Sequence, residues 1–223
     1  MSSERQHKHV FAVIPAYNEE STIAAVLFET KKYVDGIIVV DDHSSDATPS
    51  LSEKYAVVIR NAKNVGYGKS INTGFAHAQK LGAAIVVTLD ADGQHLASDI
   101  PLLIAPIING ASDVTVGLRP YAARFMETVF RRYGKQHGIE DPLCGMKAYS
   151  MAVYEQFGFF ESFPSIGTQL VFGAKKKGYR IRNVPIHLKK RADTPRFGRT
   201  LSANLKILRG LILLKKYINS LNK

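Results

Sequence analysis

The stretch AAIVVTLDADGQH, residues 83–95, carries an apolar run directly into a loop with two carboxylates. A short run of β-branched and small apolar residues predicts a strand that is buried on both faces. Asp90 and Asp92 follow where this strand ends, and Gly93 lets the backbone turn immediately afterwards. Residues two apart in an extended segment point the same way, so both carboxylates can address one hard cation. The stretch therefore predicts a site for Mg2+ or Mn2+. A turn and capping cluster ahead of the next helix is the plainer alternative.

Similar apolar runs lie on both sides of this stretch and alternate with amphipathic segments. The predicted strands are 10–14, 36–40, 56–59, 83–89, 113–117 and 179–186, and the predicted helices lie near 21–33, 46–54, 69–81, 98–108, 122–136, 167–177 and 201–223. This alternation predicts an α/β fold with a mostly parallel central sheet flanked by helices. In such sheets, ligands bind beyond the carboxyl ends of the strands. The polar segments after the first four strands should therefore converge on one edge.

The distribution of charge divides the chain into two halves. Residues 1–118 hold 9 Lys/Arg and 13 Asp/Glu, whereas residues 119–223 hold 21 and 6. We expect one domain with a nucleotide-binding half (8–118), a basic acceptor half (119–200) and a C-terminal amphipathic helix (201–223). The basic half indicates an anionic partner such as phosphate groups, a membrane surface or nucleic acid. A basic surface kept for solubility is the alternative.

Several classes of protein are disfavoured by what the sequence lacks. NVGYGKS (64–70) misses the phosphate-loop spacing, although Lys69 is a candidate nucleotide contact, and GxGxxG is absent. No nucleic-acid motif accompanies the positive charge, so we expect no nucleic-acid partner. The single cysteine, Cys144, cannot form an internal disulfide, and no apolar stretch is long enough to span a bilayer. We expect a cytoplasmic protein that associates peripherally with the membrane at most.

Five motifs in order resemble glycosyltransferase family 2, and within it the dolichyl-phosphate mannosyltransferase and polyprenyl-phosphate glycosyltransferase branch. They are PAYNEE (15–20), VVDDHSSDAT (39–48), NVGYGKSINTGF (64–75), LDADGQH (89–95) and DPLCGMKAY (141–149). The resemblance covers roughly residues 8–190. It implies a GT-A fold, a nucleotide-sugar donor, a divalent metal and inversion at the anomeric carbon.

The resemblance also implies roles for individual residues. The nucleotide-sugar-binding positions are Pro15, Ala16, Tyr17, Glu19, Val40, Asp42, Lys69, Asp90, Ala91 and Gln94, with Asp90 and Asp92 as the metal pair. Asp92 and Arg119 are the implied catalytic residues. Arg119, Arg191 and Arg196 would bind the acceptor phosphate. Cys144 replaces a small hydroxyl residue and is interpreted as a packing residue.

The acceptor is indicated by a missing carboxylate. Many family members that act on a hydroxyl carry an acidic base where this chain reads FPSIGTQL (163–170). An ionised acceptor needs no base, which favours a polyprenyl phosphate such as dolichyl or undecaprenyl phosphate. The basic loop 187–200 would help to bind it. Transfer from a GDP- or UDP-sugar to a glycan or glycolipid hydroxyl remains the alternative, as does a nucleotide-binding module without activity.

The last segment, LSANLKILRGLILLKKYINSLNK, predicts an amphipathic helix. Its apolar residues at helical spacing are Leu201, Leu205, Leu208 and Ile212, and Lys206, Arg209, Lys215 and Lys216 supply positive charge. This pattern is typical of a helix at an anionic membrane surface. Docking on the core, or on a second copy of the chain, explains it equally well. A membrane-protein partner is a further option.

Overall fold

The computed structural model describes residues 9–122, 124–189 and 200–221, and these contain seven strands and eight helices. In chain order the elements are β1 (Val10–Ala16), α1 (Ile23–Thr30), β2 (Gly36–Asp41), α2 (Thr48–Ser52), β3 (Val57–Arg60), α3 (Tyr67–Lys80), β4 (Ile85–Thr88), α4 (Ile100–Ile108), β5 (Val114–Leu118), α5 (Phe125–Lys135), β6 (Lys147–Ser150), α6 (Met151–Phe157), α7 (Gln169–Lys176), β7 (Ile181–Pro185) and α8 (Thr200–Ser220). A single 3-10 turn, Ala97–Asp99, precedes α4.

The strands form one sheet in the order β3-β2-β1-β4-β6-β5-β7. β1 pairs in parallel with β2 and β4, β2 with β3, and β5 with β7. β6 is antiparallel to both of its neighbours, β4 and β5. The predicted α/β class with a mostly parallel sheet is confirmed. Because β6 runs in reverse, its first residue lies at the edge where the parallel strands end.

Two elements were missed by the periodicity. β6 covers only KAYS and α6 only MAVYEQF, and the two adjoin without a turn. Strand β6 is short, and its hydrogen bonds come from β4 and β5, which are distant in the sequence. Local pattern cannot detect such a strand, because its stability comes from partners rather than from composition.

The sheet separates two apolar cores. One core is built around Phe75 of α3 and Tyr149 of β6, with α5, α7 and α8 packed over it. The other lies under α1 and α4, around Leu27 and Leu103. Since both sheet faces are covered, the central strands are continuous apolar runs, as the sequence predicted.

Helix α8 docks on the core and also carries an exposed apolar stripe. Its buried side contains Ala203, Ile207, Leu211, Leu214 and Ile218. The four residues of the predicted stripe lie elsewhere on the helix and are exposed: Leu201 at 75%, Leu205 at 59%, Leu208 at 40% and Ile212 at 47%. One face of α8 therefore docks on the core, as the docking alternative states. The membrane-surface interpretation applies to the exposed face and stays a prediction. In the described part of the chain, no helix is long and apolar enough to cross a membrane.

Candidate active site

A cleft of about 470 Å³ opens at the edge where β1, β2, β4 and β5 end. The residues just after these strands line it: Tyr17 after β1, Asp42 after β2, Asp90 after β4 and Arg119 after β5. Segments from the acceptor half form the other wall, including Leu143–Gly145, Ile166, Leu188 and Ile207. The polar segments after the strands therefore meet at one edge of the sheet, as the sequence predicted.

The Asp90 carboxylate lies against Gly145, two residues before β6. A Cβ atom at Gly145 would overlap the Asp90 carboxylate, so only glycine leaves room for that side chain here. Thr88 ties the end of β4 to the same glycine, because its hydroxyl donates to the Gly145 carbonyl at 2.7 Å. Asp92 lies on the turn, where its Oδ1 accepts the Gln94 N–H at 3.0 Å. Both carboxylates line the cleft.

His95 lies behind Asp90 and is buried, with 4% of its side chain exposed. Its Nδ1 is 3.6 Å from Asp90 Oδ2 and makes no hydrogen bond, and its Nε2 is 4.0 Å from Cys144 Sγ. Burial lowers the pKa of His95, but the Cys144 contact and the Asp90 and Asp92 carboxylates outweigh it and raise this pKa to about 9. The raised pKa of His95 thus reflects the negative charge that Asp90 and Asp92 bring to this strand end.

The residues at this point fit a divalent cation that shares its coordination shell with a substrate. No group of three or more His, Cys, Asp or Glu side chains in the described residues is arranged to enclose a metal. Mg2+, however, is commonly held by one or two carboxylates, with phosphate and water oxygens completing the shell. Asp90, fixed against Gly145, and Asp92 supply such a partial set. A closed structural metal site would need more ligands than the cleft offers.

The donor half is rigid around Asp42, which is 5% exposed. One carboxylate oxygen accepts from Asn61 Nδ2 and the Val65 N–H, and the other from the Gly66 N–H at 2.8 Å. These bonds fix the loop that enters α3. Carboxylate oxygens have further lone pairs, so Asp42 can still accept from a ribose hydroxyl in the cleft that it lines. Contact with a nucleotide stays a prediction.

Arg119 is bound to carboxylates of its own chain. Its Nε and Nη2 donate to Asp141 at 2.7 and 2.9 Å, and Nη2 lies 3.2 Å from Glu127. Arg131 Nη2 also donates to Asp141 at 2.6 Å. Burial raises the pKa of Asp141, but the two guanidinium groups outweigh it and hold this pKa below its ordinary value. Asp141 is therefore a permanent anion that positions Arg119, not a candidate base.

The loop FPSIGTQL (163–170) lies where many family members carry an acidic base, and it contains no carboxylate. Glu161 lies just before FPSIGTQL, and burial raises its pKa. Its oxygens accept from the Ser165 N–H, the Ser165 hydroxyl and the Gly167 N–H at 2.6–3.0 Å. Glu161 does not line the cleft. Its hydrogen bonds stabilise the loop, so it is not placed to deprotonate an acceptor.

The basic loop starts beside the segment that carries Asp90 and Asp92. The Lys189 N–H donates to the Gln94 carbonyl at 2.8 Å, and Leu188 forms a bridge with His95. The predicted acceptor-phosphate residues Arg191 and Arg196 lie outside the described residues, as do Lys190 and Arg199. Contact of these four with an acceptor stays a prediction.

Most of the other predicted site residues line the cleft. They are Pro15, Ala16, Tyr17, Glu19, Asp42, Asp90, Ala91, Asp92, Gln94 and Arg119. Val40 and Lys69 do not. Val40 is fully buried in the core, and Lys69 is exposed in the first turn of α3. Val40 points into the core from β2, and Lys69 points to solvent from α3, so neither side chain reaches the cleft.

Sequence reasoning missed several lining residues. Tyr67, Ser70, Tyr121, Arg124, Glu127 and Lys147 all face the cleft. Tyr67 and Ser70 lie within a quoted motif and so carried a signal. Lys147 also lies within a quoted motif, DPLCGMKAY, although it was not predicted as a site residue. Arg124 and Glu127 stand in a segment without a distinctive local pattern, and only the packing of α5 brings them to the cleft.

Comparison with protein families gives a match over most of the chain. The model described as glycosyl transferase family 2 matches residues 11–171. A UDP-N-acetylglucosamine–dolichyl-phosphate N-acetylglucosaminyltransferase of Methanococcus voltae is 37% identical over 131 residues, which is 50% of this chain and 52% of that protein. A polyprenol monophosphomannose synthase of Mycolicibacterium smegmatis is 25% identical over 208 residues, or 82% of this chain and 78% of that protein.

The fold has close structural neighbours as well. A glucosyl-3-phosphoglycerate synthase of Mycobacterium tuberculosis, crystallised with Mn2+, UDP and glucosyl-3-phosphoglycerate, superposes with a TM-score of 0.77. The alignment covers 93% of this chain and 80% of that chain at 18% sequence identity. At that identity the likeness shows the fold alone, which is the GT-A fold of glycosyltransferases.

Proposed function

The chain belongs to glycosyl transferase family 2, and we propose that this glycosyltransferase moves a sugar from a GDP- or UDP-sugar to a polyprenyl phosphate with inversion. The observation that carries the proposal is the composition of the cleft. Asp90, Asp92 and Gln94 line the cleft with groups suited to a metal-bound diphosphate, and Arg119 and Lys147 add basic side chains to it. The relatives named for dolichyl-phosphate and polyprenol substrates support the choice of acceptor.

On the donor side, Asp90 and Asp92 would hold Mg2+ or Mn2+. When bound, the cation neutralises the negative charge that develops on the leaving nucleoside diphosphate. Tyr17, Glu19 and Asp42 line the part of the cleft nearest β1 and β2, where the nucleoside would lie. The chain's own contribution is to position the donor, since the rigid loops around Asp42 and Asp90 fix the distance between the two ends of the site.

On the acceptor side, a phosphate oxygen would attack the anomeric carbon. The bond from that carbon to the diphosphate oxygen breaks, and its electron pair leaves with the diphosphate. No proton has to be removed, because the attacking phosphate is already ionised at neutral pH. Glu127 lines this half of the cleft, but it is paired with Arg119 at 3.2 Å and Arg124 at 3.0 Å. This arrangement supports an anionic acceptor over a hydroxyl group.

We also propose that α8 brings the enzyme to a membrane surface peripherally. Leu201, Leu205, Leu208 and Ile212 form the exposed stripe, and Lys206, Arg209, Lys215 and Lys216 on the same helix are exposed as well. Ile207, on the buried side of α8, lines the cleft. Such a helix can lie at an anionic lipid interface with its apolar residues in the acyl boundary. A lipid acceptor would then enter the cleft from that interface.

The test offers the purified protein a panel of labelled UDP- and GDP-sugars with Mn2+ and undecaprenyl or dolichyl phosphate. We expect label in the organic phase, its loss with a chelator, and its loss in Asp92→Asn. The matched control is the corresponding polyprenol, which lacks the phosphate and should accept no label. Transfer to the polyprenol or to a glycan instead would overturn the proposed acceptor. Full turnover in Asp92→Asn would refute the metal role.

A further inference from the structure

Lys147 is a buried cation in the floor of the cleft. It is the first residue of β6, pairs with Thr88 of β4, and is only 2% exposed. It nevertheless lines the cleft. Since β6 runs against its neighbours, its amino end brings this side chain to the edge of the sheet where Asp90 lies.

The ammonium group of Lys147 lacks a counterion. Its Nζ donates to the Gly167 carbonyl at 3.2 Å, and no carboxylate of the described residues lies within the 4.0 Å of an ion pair. An ammonium has three N–H donors, so the single acceptor leaves two donors available. Burying an unpaired charge is costly, and folded proteins normally provide a partner for it.

The arginines near this part of the cleft are already paired with carboxylates of the chain. Arg119 and Arg131 share Asp141, and Arg124 is paired with Glu127. Burial lowers the pKa of Lys147, against smaller opposing effects of Cys144, Asp141 and Asp90. A bound anion would offset the cost of burial and favour the charged form.

We propose that Lys147 binds a phosphate oxygen of the acceptor and holds it for attack on the donor sugar. This inference rests on the proposed function and adds a ligand-binding residue that is not among the predicted site residues. Lys147 acts as a counter-charge and keeps its proton throughout. The sugar moves from the diphosphate oxygen to the phosphate oxygen, and the electron pair of the broken bond stays on the diphosphate.

The position of the ammonium favours the acceptor over the donor. Nζ contacts Gly167, the residue after Ile166, which lines the cleft. A Cβ atom on Gly210 of α8 would lie 3.3 Å from Ile166, so this loop packs against the same helix that carries the exposed apolar stripe. The ammonium therefore lies between the metal-binding segment and the side of the cleft where a lipid would enter.

The experiment measures binding of farnesyl phosphate, a water-dispersible isoprenoid phosphate, by calorimetry. The variants are Lys147→Met, which removes the charge at similar volume, and Lys147→Arg, which keeps it. Lys80→Met is the matched control, because it removes the same charge from an exposed position at the end of α3. UDP and GDP with Mn2+ serve as separate probes of the donor side. Circular dichroism and thermal unfolding check that each variant is folded.

We expect Lys147→Met to weaken farnesyl phosphate binding at least about tenfold, the effect of losing one charged contact of about 1.4 kcal/mol. Nucleotide binding with Mn2+ and the KM for the donor should stay unchanged, whereas the KM for the acceptor should rise. Lys147→Arg should retain part of the affinity. Replacing a buried charge by an apolar group is often neutral for stability, so Lys147→Met is expected to fold.

Two results would overturn the role of Lys147 while leaving the proposed function intact. One is equal binding of farnesyl phosphate by the wild type and Lys147→Met; the other is selective loss of nucleotide binding in that variant. If Lys147→Met does not fold, undiminished acceptor affinity with an unaltered acceptor KM in Lys147→Gln would refute the inference. If the wild type binds farnesyl phosphate no better than farnesol, both the acceptor class and the role of Lys147 fail.

Discussion

Replacing Asp141 by Asn should destabilise the protein strongly, because it leaves two largely buried arginine side chains without the anion that they share. The Asp141 carboxylate is fully buried and accepts four hydrogen bonds at 2.6–3.2 Å: from Arg119 N, Nε and Nη2 and from Arg131 Nη2. Removing one partner of a buried ion pair typically costs about 3–5 kcal/mol, and the nearby Glu127 places this case at the lower end. For a domain of this size, about 1 kcal/mol corresponds to roughly 2–4 °C in Tm. We therefore expect Tm to fall by about 6–12 °C.

Urea unfolding followed by circular dichroism measures the loss directly, and its pH dependence gives a second test. The pKa of Asp141 is lower in the folded state, so its contribution is fully present above the unfolded pKa of about 3.9. It is lost as pH falls through the folded pKa, and Asp141→Asn should lack this part of the acid dependence. The wild type and the variant should therefore converge in stability at low pH.

Asp113→Asn is the matched control for this experiment. Asp113 accepts from Arg180 Nε and Nη2 at 3.1 and 2.9 Å, which is the same two-point geometry on an exposed arginine. Water and salt screen exposed pairs, so this variant should change stability far less. Equal losses in Asp113→Asn and Asp141→Asn would refute the reasoning, as would a loss below about 1 kcal/mol in Asp141→Asn.

Three further predictions follow from the packing. Gly145→Ala should weaken Mn2+-dependent binding of UDP or GDP, because its Cβ would displace the Asp90 carboxylate. Gly210→Ala is the control, since its Cβ would come no closer than 3.3 Å to a residue outside α8. Equal nucleotide affinity in the two variants would contradict the role of Gly145. Leu205→Asp should lower binding to vesicles of anionic lipid about tenfold or more, since burying one leucine is worth about 1.5–3 kcal/mol. Leu102→Asp, at a position on α4 that is 51% exposed, should leave vesicle binding unchanged. Sedimentation with vesicles measures binding of both variants. Gly134→Ala should destabilise the protein by about 1–3 kcal/mol in urea unfolding, because its Cβ would overlap the Ile139 carbonyl and Pro142; a neutral effect would show that this turn can adjust.

The helix α8 shows why part of the architecture could not be predicted. Its sequence carries two apolar surfaces, one through Ile207 and Leu214 and one through Leu205 and Ile212. Helical periodicity identifies both but does not say which one the core covers. Only the contact of α8 with α5 and α7 buries the first and leaves the second exposed.

The candidate site shows the same division between its two halves. The strand-end residues Tyr17, Asp42 and Asp90 could be predicted, because a parallel sheet brings successive strand ends to one edge. The pairing of Arg119 with Asp141 joins residues that lie on either side of α5 in the sequence, and no local pattern encodes it. Val40 and Lys69 were predicted from motif positions, but neither lines the cleft.

The sequence by itself determined the layered α/β class, the metal-binding candidates Asp90 and Asp92 and the positive charge of the second half, because periodicity, strand-end position and charge are local properties. Only the tertiary structure decided the reversed direction of β6, the burial of Lys147 and the face of α8 that stays exposed. These features depend on which distant segments pack together. Lys147 stands in the quoted motif DPLCGMKAY, but its burial beside the cleft without a counterion exists only in the fold.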